Sequence, residues 1–248
     1  MKILVLSDIH GNYDALRAVL ENTSRYDAIW FLGDYVDYGP EPHLVIDTVK
    51  ELKADIILMG NHDYAAAFNE DCRCRDDIKD LSVYTRLNIT IKLLSNEQVK
   101  WLRDLPKTIE LGINGRKHYI VHGSPRSPLY GYLRPDLHFN ELRYMLSPLS
   151  SIAFKPVNAH VLITGHVHIP VDMLFEGLRI LNPGSVGQPR DGDSRASYAI
   201  YDTETELFII NRVKYNIENV AKKLRNLILE DTYYKWILRI LVTGRVDY

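Results

Sequence analysis

Apolar, β-branched runs alternate along the chain with stretches in which apolar residues recur at helical spacing. Eight short runs predict strands: KILVLS from residue 2, AIWFLG from 28, DIILMG from 55, HYIVHG from 118, HVLITG from 160, LRILNPG from 178, SYAIYD from 197 and LFIINRV from 207. Three amphipathic stretches predict helices: NYDALRAVLENTS from residue 12, which begins with an Asn cap, EPHLVIDTVKEL from 41 and SNEQVKWLRDL from 95. This alternation predicts an α/β (α+β) layered domain, with two sheets or one mixed sheet and helices packed outside.

Three longer segments complete the pattern. Residues 63–95 are more polar and predict helices, whereas residues 124–158 contain five prolines and predict a long excursion over the surface. In residues 216–248 the apolar residues again recur at helical spacing. We therefore expect one domain over residues 1–215 and a C-terminal helical extension over residues 216–248 that packs on it. Packing of this extension on a second subunit, in a homo-oligomer, is the alternative.

Composition narrows the class of protein. With 248 residues, 46% hydrophobic and 25% charged, the chain is typical of a globular protein with one substantial core. A formal charge of −2 does not favour stable binding to duplex nucleic acid, because proteins that neutralise many phosphates carry a basic excess. No apolar run reaches the ~18 residues of a membrane span, and the N-terminus MKILVLSDIHGN lacks a signal-peptide pattern. We expect a cytoplasmic protein with no membrane partner.

The two cysteines, Cys72 and Cys74, lie in the charged stretch EDCRCRDD. A Cys-x-Cys pair can bind a metal ion, but no second pair accompanies it. We therefore expect free thiols in an exposed polar loop.

Side chains able to bind metal ions end five of the predicted strands. They follow KILVLS, AIWFLG, DIILMG, HYIV and HVLITG and are Asp8, His10, Asp34, Asn61, His122, His166 and His168. Open α/β sheets place their sites at the carboxyl ends of strands, and glycines at 11, 33, 60, 123 and 165 allow tight turns there. Each motif alone fits a structural role, such as a helix N-cap or a buried histidine bonded to a carbonyl. Their repetition predicts a shared site, whereas structural roles are expected for His43, His118, His138 and His160.

Seven candidate ligands are too many for one tetrahedral ion, but they fit two divalent ions that share a bridging carboxylate. Paired ions about 3.5–4 Å apart generate a bridging hydroxide that attacks phosphorus, and they clamp the oxygens of a phosphoryl group. Nitrogen and oxygen ligands without a thiolate favour manganese, with iron, zinc or nickel as alternatives. The sequence therefore predicts a dinuclear metal site.

Five motifs, SDIHGN, GDYVDYGP, GNHD, VHGSP and GHVH, resemble in order and character those of the calcineurin-like metallophosphoesterase superfamily. The stretch LNPGSVGQPRDG resembles one common in its small prokaryotic phosphodiesterase branch, and the resemblance spans about residues 3–213. It implies a metallophosphoesterase-type β-sandwich flanked by helices, with two ions between loops at the sheet ends. By this resemblance, one ion is held by Asp8, His10, Asp34 and His168, and the other by Asp34, Asn61, His122 and His166.

The resemblance also gives His62 the role of proton donor to the phosphoryl oxygen or leaving group, with Asp37 orienting it. A histidine that is not a ligand but lies beside one is well placed for such a transfer. The chain departs from the phosphoprotein phosphatase branch at Tyr38, where that branch has an arginine that binds phosphate. A replacement guanidinium could come from Arg126, Arg134 or Arg190, and a solvated or structural role is the alternative for each.

These features predict a dinuclear-metal-dependent phosphodiesterase that acts on a small phosphoester or nucleotide-like substrate. A diester carries one negative charge, which two ions balance without the arginine that Tyr38 replaces. Tyr130 and Tyr132 could form an aromatic wall against a base or aryl group, or could simply pack their loop on the core. Two other hypotheses stay open. One is a phosphomonoesterase or nucleotide-polyphosphate hydrolase with the same ions; the other is a non-catalytic interaction scaffold, which the complete ligand set and His62 disfavour.

Overall fold

Two five-stranded sheets pack face to face and carry helices on their outer faces. The protein is described by a computed structural model over residues 1–23, 25–151, 154–228 and 230–246. Its strands are β1 (Lys2–Leu6), β2 (Ala28–Phe31), β3 (Ile56–Ile57), β4 (Thr108–Ile113), β5 (Arg116–Val121), β6 (Val161–Ile163), β7 (Pro170–Phe175), β8 (Leu178–Pro183), β9 (Ala196–Asp202) and β10 (Phe208–Val213). Its helices are α1 (Tyr13–Asn22), α2 (Pro42–Glu51), α3 (Asn61–Phe68), α4 (Asp76–Thr85), α5 (Ile91–Leu93), α6 (Asn96–Arg103), α7 (Phe139–Leu146), α8 (Ile217–Leu227) and α9 (Asp231–Thr243). A π-helical turn, Arg86–Thr90, joins α4 to α5.

Both sheets are mixed. The first has strand order β10-β9-β1-β2-β3, in which β1, β2 and β3 are parallel and β9 and β10 are antiparallel to their neighbours. The second has order β4-β5-β6-β8-β7, in which β5, β6 and β8 are parallel and the two edge strands are antiparallel. The parallel strands of each sheet therefore end at one edge, where the predicted site residues follow them.

Apolar side chains on both faces of the strands form the core. Ile3 and Val5 of β1 lie in the apolar layer between the sheets, together with Ile163 of β6. Leu4 and Leu6 point the other way and pack against α1, α2 and α6, because successive side chains of a strand face opposite sides. On the outer face of the second sheet, α7 covers β5, β6 and β8. The result is the layered α/β sandwich that the sequence predicts.

All eight predicted strands form, and β4 and β7 are additional. These two strands are the edges of the second sheet, and each is partly exposed along its length. Polar or small residues interrupt the apolar positions of both strands, Glu110 and Gly112 in β4 and Asp172 in β7, so neither has a continuous apolar run. The three predicted amphipathic helices form as α1, α2 and α6, and α3 to α5 occupy residues 63–95 as expected.

The C-terminal segment forms two helices. Ile228 leaves the helical conformation after α8, and it is buried in the same apolar cluster as Leu224 and Ile237. This cluster joins α8 and α9 to Leu81 of α4 and to Tyr38 in the loop after β2. Leu229, Asp247 and Tyr248, which belong to the predicted extension, lie outside the described residues. None of the described helices is long and apolar enough to cross a lipid bilayer.

Candidate metal centre and active site

The loops after β1, β2, β3, β5 and β6 converge at one edge of the sandwich. The Asp8 amide donates to the Gly33 carbonyl (3.0 Å), and the Gly165 amide donates to the His122 carbonyl (2.8 Å), so neighbouring loops are tied together. Seven non-glycine residues of these loops have φ between 49° and 68°: Asp8, His10, Asp34, Asp37, Tyr38, His166 and His168. Left-handed backbone is strained for residues with a Cβ, and such strain concentrates at functional sites.

Glycine is required where two of these loops touch. A Cβ on Gly60 would lie 2.1 Å from Asp34 Oδ1, and a Cβ on Gly33, where φ is +103°, would lie 2.5 Å from the Gly60 nitrogen. The close approach brings the carboxylate of Asp34 against the start of α3, where its Oδ1 accepts from the His62 amide (2.9 Å).

Asp8, His10, Asp34 and His168 form a first cluster, in which one potential ligand atom of each lies within 4.8 Å of the others. His10 Nε2 is 3.1 Å from His168 Nε2 and 3.7 Å from Asp34 Oδ2. His168 Nε2 is 3.3 Å from Asp8 Oδ1. All four side chains are buried.

The main chain orients both imidazoles of the first cluster. Nδ1 of His10 donates to the Val36 carbonyl (2.9 Å), and Nδ1 of His168 donates to the Gln188 carbonyl (2.5 Å). Burial lowers the pKa of both histidines well below the usual value, which favours the neutral form of each ring. Because a carbonyl can only accept, each ring carries its proton on Nδ1 and turns the lone pair of Nε2 into the cluster. Two lone pairs 3.1 Å apart beside two carboxylates repel one another unless a cation lies between them.

Asp34, His122 and His166 form a second cluster, also within 4.8 Å, and Asp34 belongs to both. His122 Nε2 is 3.2 Å from Asp34 Oδ2 and 3.1 Å from Asn61 Oδ1. His122 Nδ1 donates to the Leu32 carbonyl (2.8 Å), which orients this ring as in the first cluster. The Asn61 amide nitrogen donates to the Cys72 carbonyl (2.8 Å), so its oxygen faces the cluster.

The electrostatics of the second cluster favour positive charge. Burial opposes protonation of His122, but the Asp34 carboxylate beside it raises the pKa of His122 to about 9. Burial likewise opposes ionisation of Asp34, but His122 and His62 hold its pKa well below the usual range. Among the buried atoms that lack a hydrogen-bond partner in the described residues are Asp8 Oδ1, Asp34 Oδ2 and His166 Nε2. Unpartnered oxygen and nitrogen acceptors this close together fit a pair of divalent cations. The structure thus brings all seven predicted ligands together.

His62, the predicted proton donor, lies beside the clusters without joining either. Its Nδ1 is 2.8 Å from Asp37 Oδ2, and Asp37 is held in turn by the Thr90 hydroxyl (2.8 Å to Oδ1). The His62 ring contacts His10 edge-on, with ring centres 4.8 Å apart. The structure therefore places the predicted histidine–aspartate pair in hydrogen-bond contact at the rim of the first cluster.

The expectation for Cys72 and Cys74 is wrong, because the two residues are buried and form a disulfide. Arg73 between them has φ of +50°, and this turn leaves their Cα atoms 5.3 Å apart with both sulfurs on one side. The charged neighbours face outward while the cysteines pack against Leu81 of α4. Cys74 Sγ lies 3.3 Å from His62 Nε2, so the pair borders the site.

Asp63 is a fully buried acidic residue beside the predicted proton donor, and no sequence pattern singled it out as part of the site. Its carboxylate accepts from the backbone amides of Asp34 (2.7 Å), Tyr35 (2.8 Å) and Gly60 (2.9 Å). Asp63 thereby fixes the loop that carries the shared ligand to the start of α3. The sequence contains a signal for this role, because an acidic residue at the third position of a helix commonly accepts a hydrogen bond from the N-cap amide.

Of the three arginines considered for phosphate binding, Arg190 lies nearest the clusters. Its amide donates to the His168 carbonyl (3.2 Å), and its guanidinium lies 5.9 Å from the centre of the Tyr38 ring. Arg126 instead stacks on Tyr144, 4.5 Å from the ring centre, on the side of α7. Arg134 pairs with Asp136 near the surface.

The two tyrosines of the loop after β5 differ in position. The Tyr132 ring lies 4.1 Å from the His166 ring, at the second cluster. The Tyr130 ring lies under the guanidinium of Arg73, 4.7 Å from the ring centre. The four histidines expected to be structural belong to neither cluster; His118, for example, bonds the Tyr201 hydroxyl at 3.0 Å.

The chain is similar to known proteins in its family profile, in its sequence and in its structure. Residues 1–206 match the family profile described as the calcineurin-like phosphoesterase superfamily domain. An uncharacterized protein of Methanocaldococcus jannaschii is 32% identical over 261 aligned positions, which cover 98% of each chain. The crystal structure of a metallophosphoesterase from Sphaerobacter thermophilus superposes with a TM-score of 0.77 at 31% identity, over 98% of this chain and 99% of that one. A symmetrical bis(5′-nucleosyl)-tetraphosphatase of Buchnera aphidicola is 39% identical over 67 residues, 25% of this chain and 24% of that protein.

Proposed function

The chain belongs to the calcineurin-like phosphoesterase superfamily, and we propose that it is a phosphodiesterase that uses two divalent metal ions, preferably manganese. The family is one of metal-dependent phosphoester hydrolases. The observation that carries the proposal is the pair of buried acceptor clusters that share Asp34.

The ligands that we propose for the first ion are Asp8, His10, Asp34 and His168, and those for the second are Asp34, Asn61, His122 and His166. When bound, the two ions supply Lewis-acid chemistry, which activates water and neutralises charge on the phosphoryl oxygens. The protein orients the side chains that would hold the ions. The hydrogen bonds from Nδ1 of His10, His122 and His168 to carbonyls keep Nε2 of each ring turned inward.

His62 is the residue that we propose assists the leaving group. Asp37 accepts from Nδ1 of His62, so the second ring nitrogen, Nε2, can carry the proton that a departing alkoxide needs. In this structure Nε2 is 3.3 Å from Cys74 Sγ. Sulfur is a weak acceptor, so an ester oxygen of a bound substrate competes well for this nitrogen.

A preference for diesters is supported by the aromatic side chains that contact the cluster histidines. Tyr38 is a buried aromatic at the position where related phosphatases carry an arginine, and the guanidinium of Arg190, 5.9 Å from the Tyr38 ring centre, is hydrogen-bonded to Gln188 (2.6 Å). Tyr132 presents its ring beside His166, where the second ester group of a diester would lie. A monoester dianion would gain more from a guanidinium directed at its terminal oxygens.

The experiment compares an aryl phosphate, p-nitrophenyl phosphate, with bis(p-nitrophenyl) phosphate on protein saturated with Mn²⁺. We expect the larger kcat/KM for the diester, and we expect Tyr38→Arg to shift the ratio toward the monoester. Tyr38→Phe keeps the ring and is the matched control, and thermal melting of each variant verifies folding. A wild-type preference for the monoester would refute the diesterase proposal.

A nucleotide-polyphosphate hydrolase is the second candidate. The observation that favours it is the 67-residue similarity to the bis(5′-nucleosyl)-tetraphosphatase, although this covers only 25% of the chain. Bis(5′-adenosyl) tetraphosphate is therefore included in the same assay. A kcat/KM for it above that for the bis-aryl diester would favour this candidate.

A further inference from the structure

A cavity of about 250 Å³ opens beside the loop that carries His166 and His168. Its described lining residues are Arg75, Tyr132, Arg134, Val167, Ile169, Arg190 and Val246. Three of these seven residues are arginines and none is acidic. The residues come from five separate segments of the chain, so no local pattern in the sequence marks the cavity.

The cavity adjoins the metal clusters directly. Val167, one of its walls, lies between the two cluster histidines in sequence. The Tyr132 ring packs on His166, with the ring centres 4.1 Å apart. A substrate that reacts at the clusters can therefore extend past Tyr132 into the cavity.

The arginines of the cavity are available to an anion. No carboxylate of the described residues pairs with Arg190, whose guanidinium donates to Gln188 Oε1 from Nε (3.2 Å) and Nη2 (2.6 Å). Arg75 pairs with Asp77 at 2.6 Å and Arg134 with Asp136 at 2.5 Å, and both pairs are exposed. Exposed ion pairs contribute little to stability. These guanidinium groups can therefore exchange a carboxylate for a phosphate, which they bind with two parallel hydrogen bonds.

We infer that this cavity is a subsite for a second phosphate group of the substrate, distinct from the phosphate that is cleaved at the clusters. The inference rests on the proposed phosphodiesterase function and narrows its substrate class to nucleotide-like diesters with an additional phosphate. Three arginines against an uncharged apolar wall suit a dianionic group better than a base. The additional phosphate therefore anchors the substrate while the diester lies at the metal ions.

The test uses two chromogenic diesters that differ only in the second phosphate: the p-nitrophenyl ester of thymidine 5′-phosphate and the same ester with a 3′-phosphate. Wild-type protein is expected to have a kcat/KM at least about tenfold larger for the substrate with the extra phosphate, as expected for hydrogen bonds to charged groups. Arg134→Met and Arg75→Met should each move this ratio toward one. Asp136→Asn, which removes the competing carboxylate of Arg134, should increase it. Arg17→Met is the matched control, because Arg17 is an exposed arginine of α1 that pairs with Glu21 and is not among the lining residues of the cavity.

Equilibrium binding separates this inference from the proposed function. Thymidine 3′,5′-bisphosphate and thymidine 5′-phosphate are titrated into the wild-type protein and the arginine variants by calorimetry. Tighter binding of the bisphosphate that Arg134→Met abolishes would support the subsite even if neither ester were hydrolysed, and that result would refute only the diesterase proposal. Equal kcat/KM for the two esters together with equal binding of the two nucleotides would overturn the subsite.

Discussion

Substitution of Asp63 by alanine tests how the shared ligand Asp34 is held in place. The variant leaves three buried amides, those of Asp34, Tyr35 and Gly60, without their acceptor. A hydrogen bond to a charged group contributes about 1.5–3 kcal/mol, so three bonds correspond to about 4.5–9 kcal/mol. Burial, with the nearby Asp34 charge as the second cause, raises the pKa of Asp63 to about 7, so the carboxylate itself is unfavourably placed. We therefore expect a loss near the lower limit, about 4.5 kcal/mol in the free energy of unfolding.

Urea unfolding at constant metal concentration measures this loss. Asp63→Asn keeps one acceptor oxygen and should lose less than the alanine variant, and the exposed Asp80→Ala should change stability by less than about 0.5 kcal/mol. Because the loop of Asp34 is released, Mn²⁺ affinity of Asp63→Ala should fall by about 10–100-fold. Unchanged unfolding and unchanged Mn²⁺ affinity would refute the positioning role of Asp63.

Three further predictions follow from the site and the C-terminal helices. Exhaustive chelation should abolish hydrolysis and Mn²⁺ should restore it, because the acceptor clusters are suited to cations. Turnover that survives chelation would contradict the two-ion proposal. His62→Asn should lose about 10²–10⁴-fold in kcat on substrates with poor leaving groups while keeping both ions. Asp34→Asn should instead release ions from both clusters, and metal loss from His62→Asn in elemental analysis would overturn these roles. We propose that residues 216–248 are an extension of the same domain. A protein truncated after residue 215 should therefore aggregate, because it exposes the apolar surface that Leu224 and Ile237 cover. A soluble truncated protein with intact metals and no activity would indicate a lid.

The sequence by itself determined the layered class and the positions of the seven candidate ligands. The buried strands are short runs of β-branched residues, and this local pattern can be recognised without knowing which strands are neighbours in a sheet. Parallel strands end at one edge of a sheet, so residues that follow them, such as Asp8 and Asp34, had to approach one another. The roles expected for His62 and Asp37 follow instead from the resemblance of their motifs to the metallophosphoesterase superfamily, and the two side chains lie 2.8 Å apart.

Only the tertiary structure decided the features that depend on contacts between distant segments. The edge strands β4 and β7 have no continuous apolar run, and they form because β5 and β8 offer partners. The disulfide of Cys72 and Cys74 depends on a left-handed turn at Arg73 and on the helices that bury it, neither of which a charged stretch of sequence indicates. The sequence does not distinguish Arg190 from Arg126 and Arg134 as a phosphate-binding residue, whereas the fold places Arg190 beside Tyr38. Local sequence determines where a chain bends and which side chains are buried, but the distance between two side chains far apart in sequence is determined by how the layers pack.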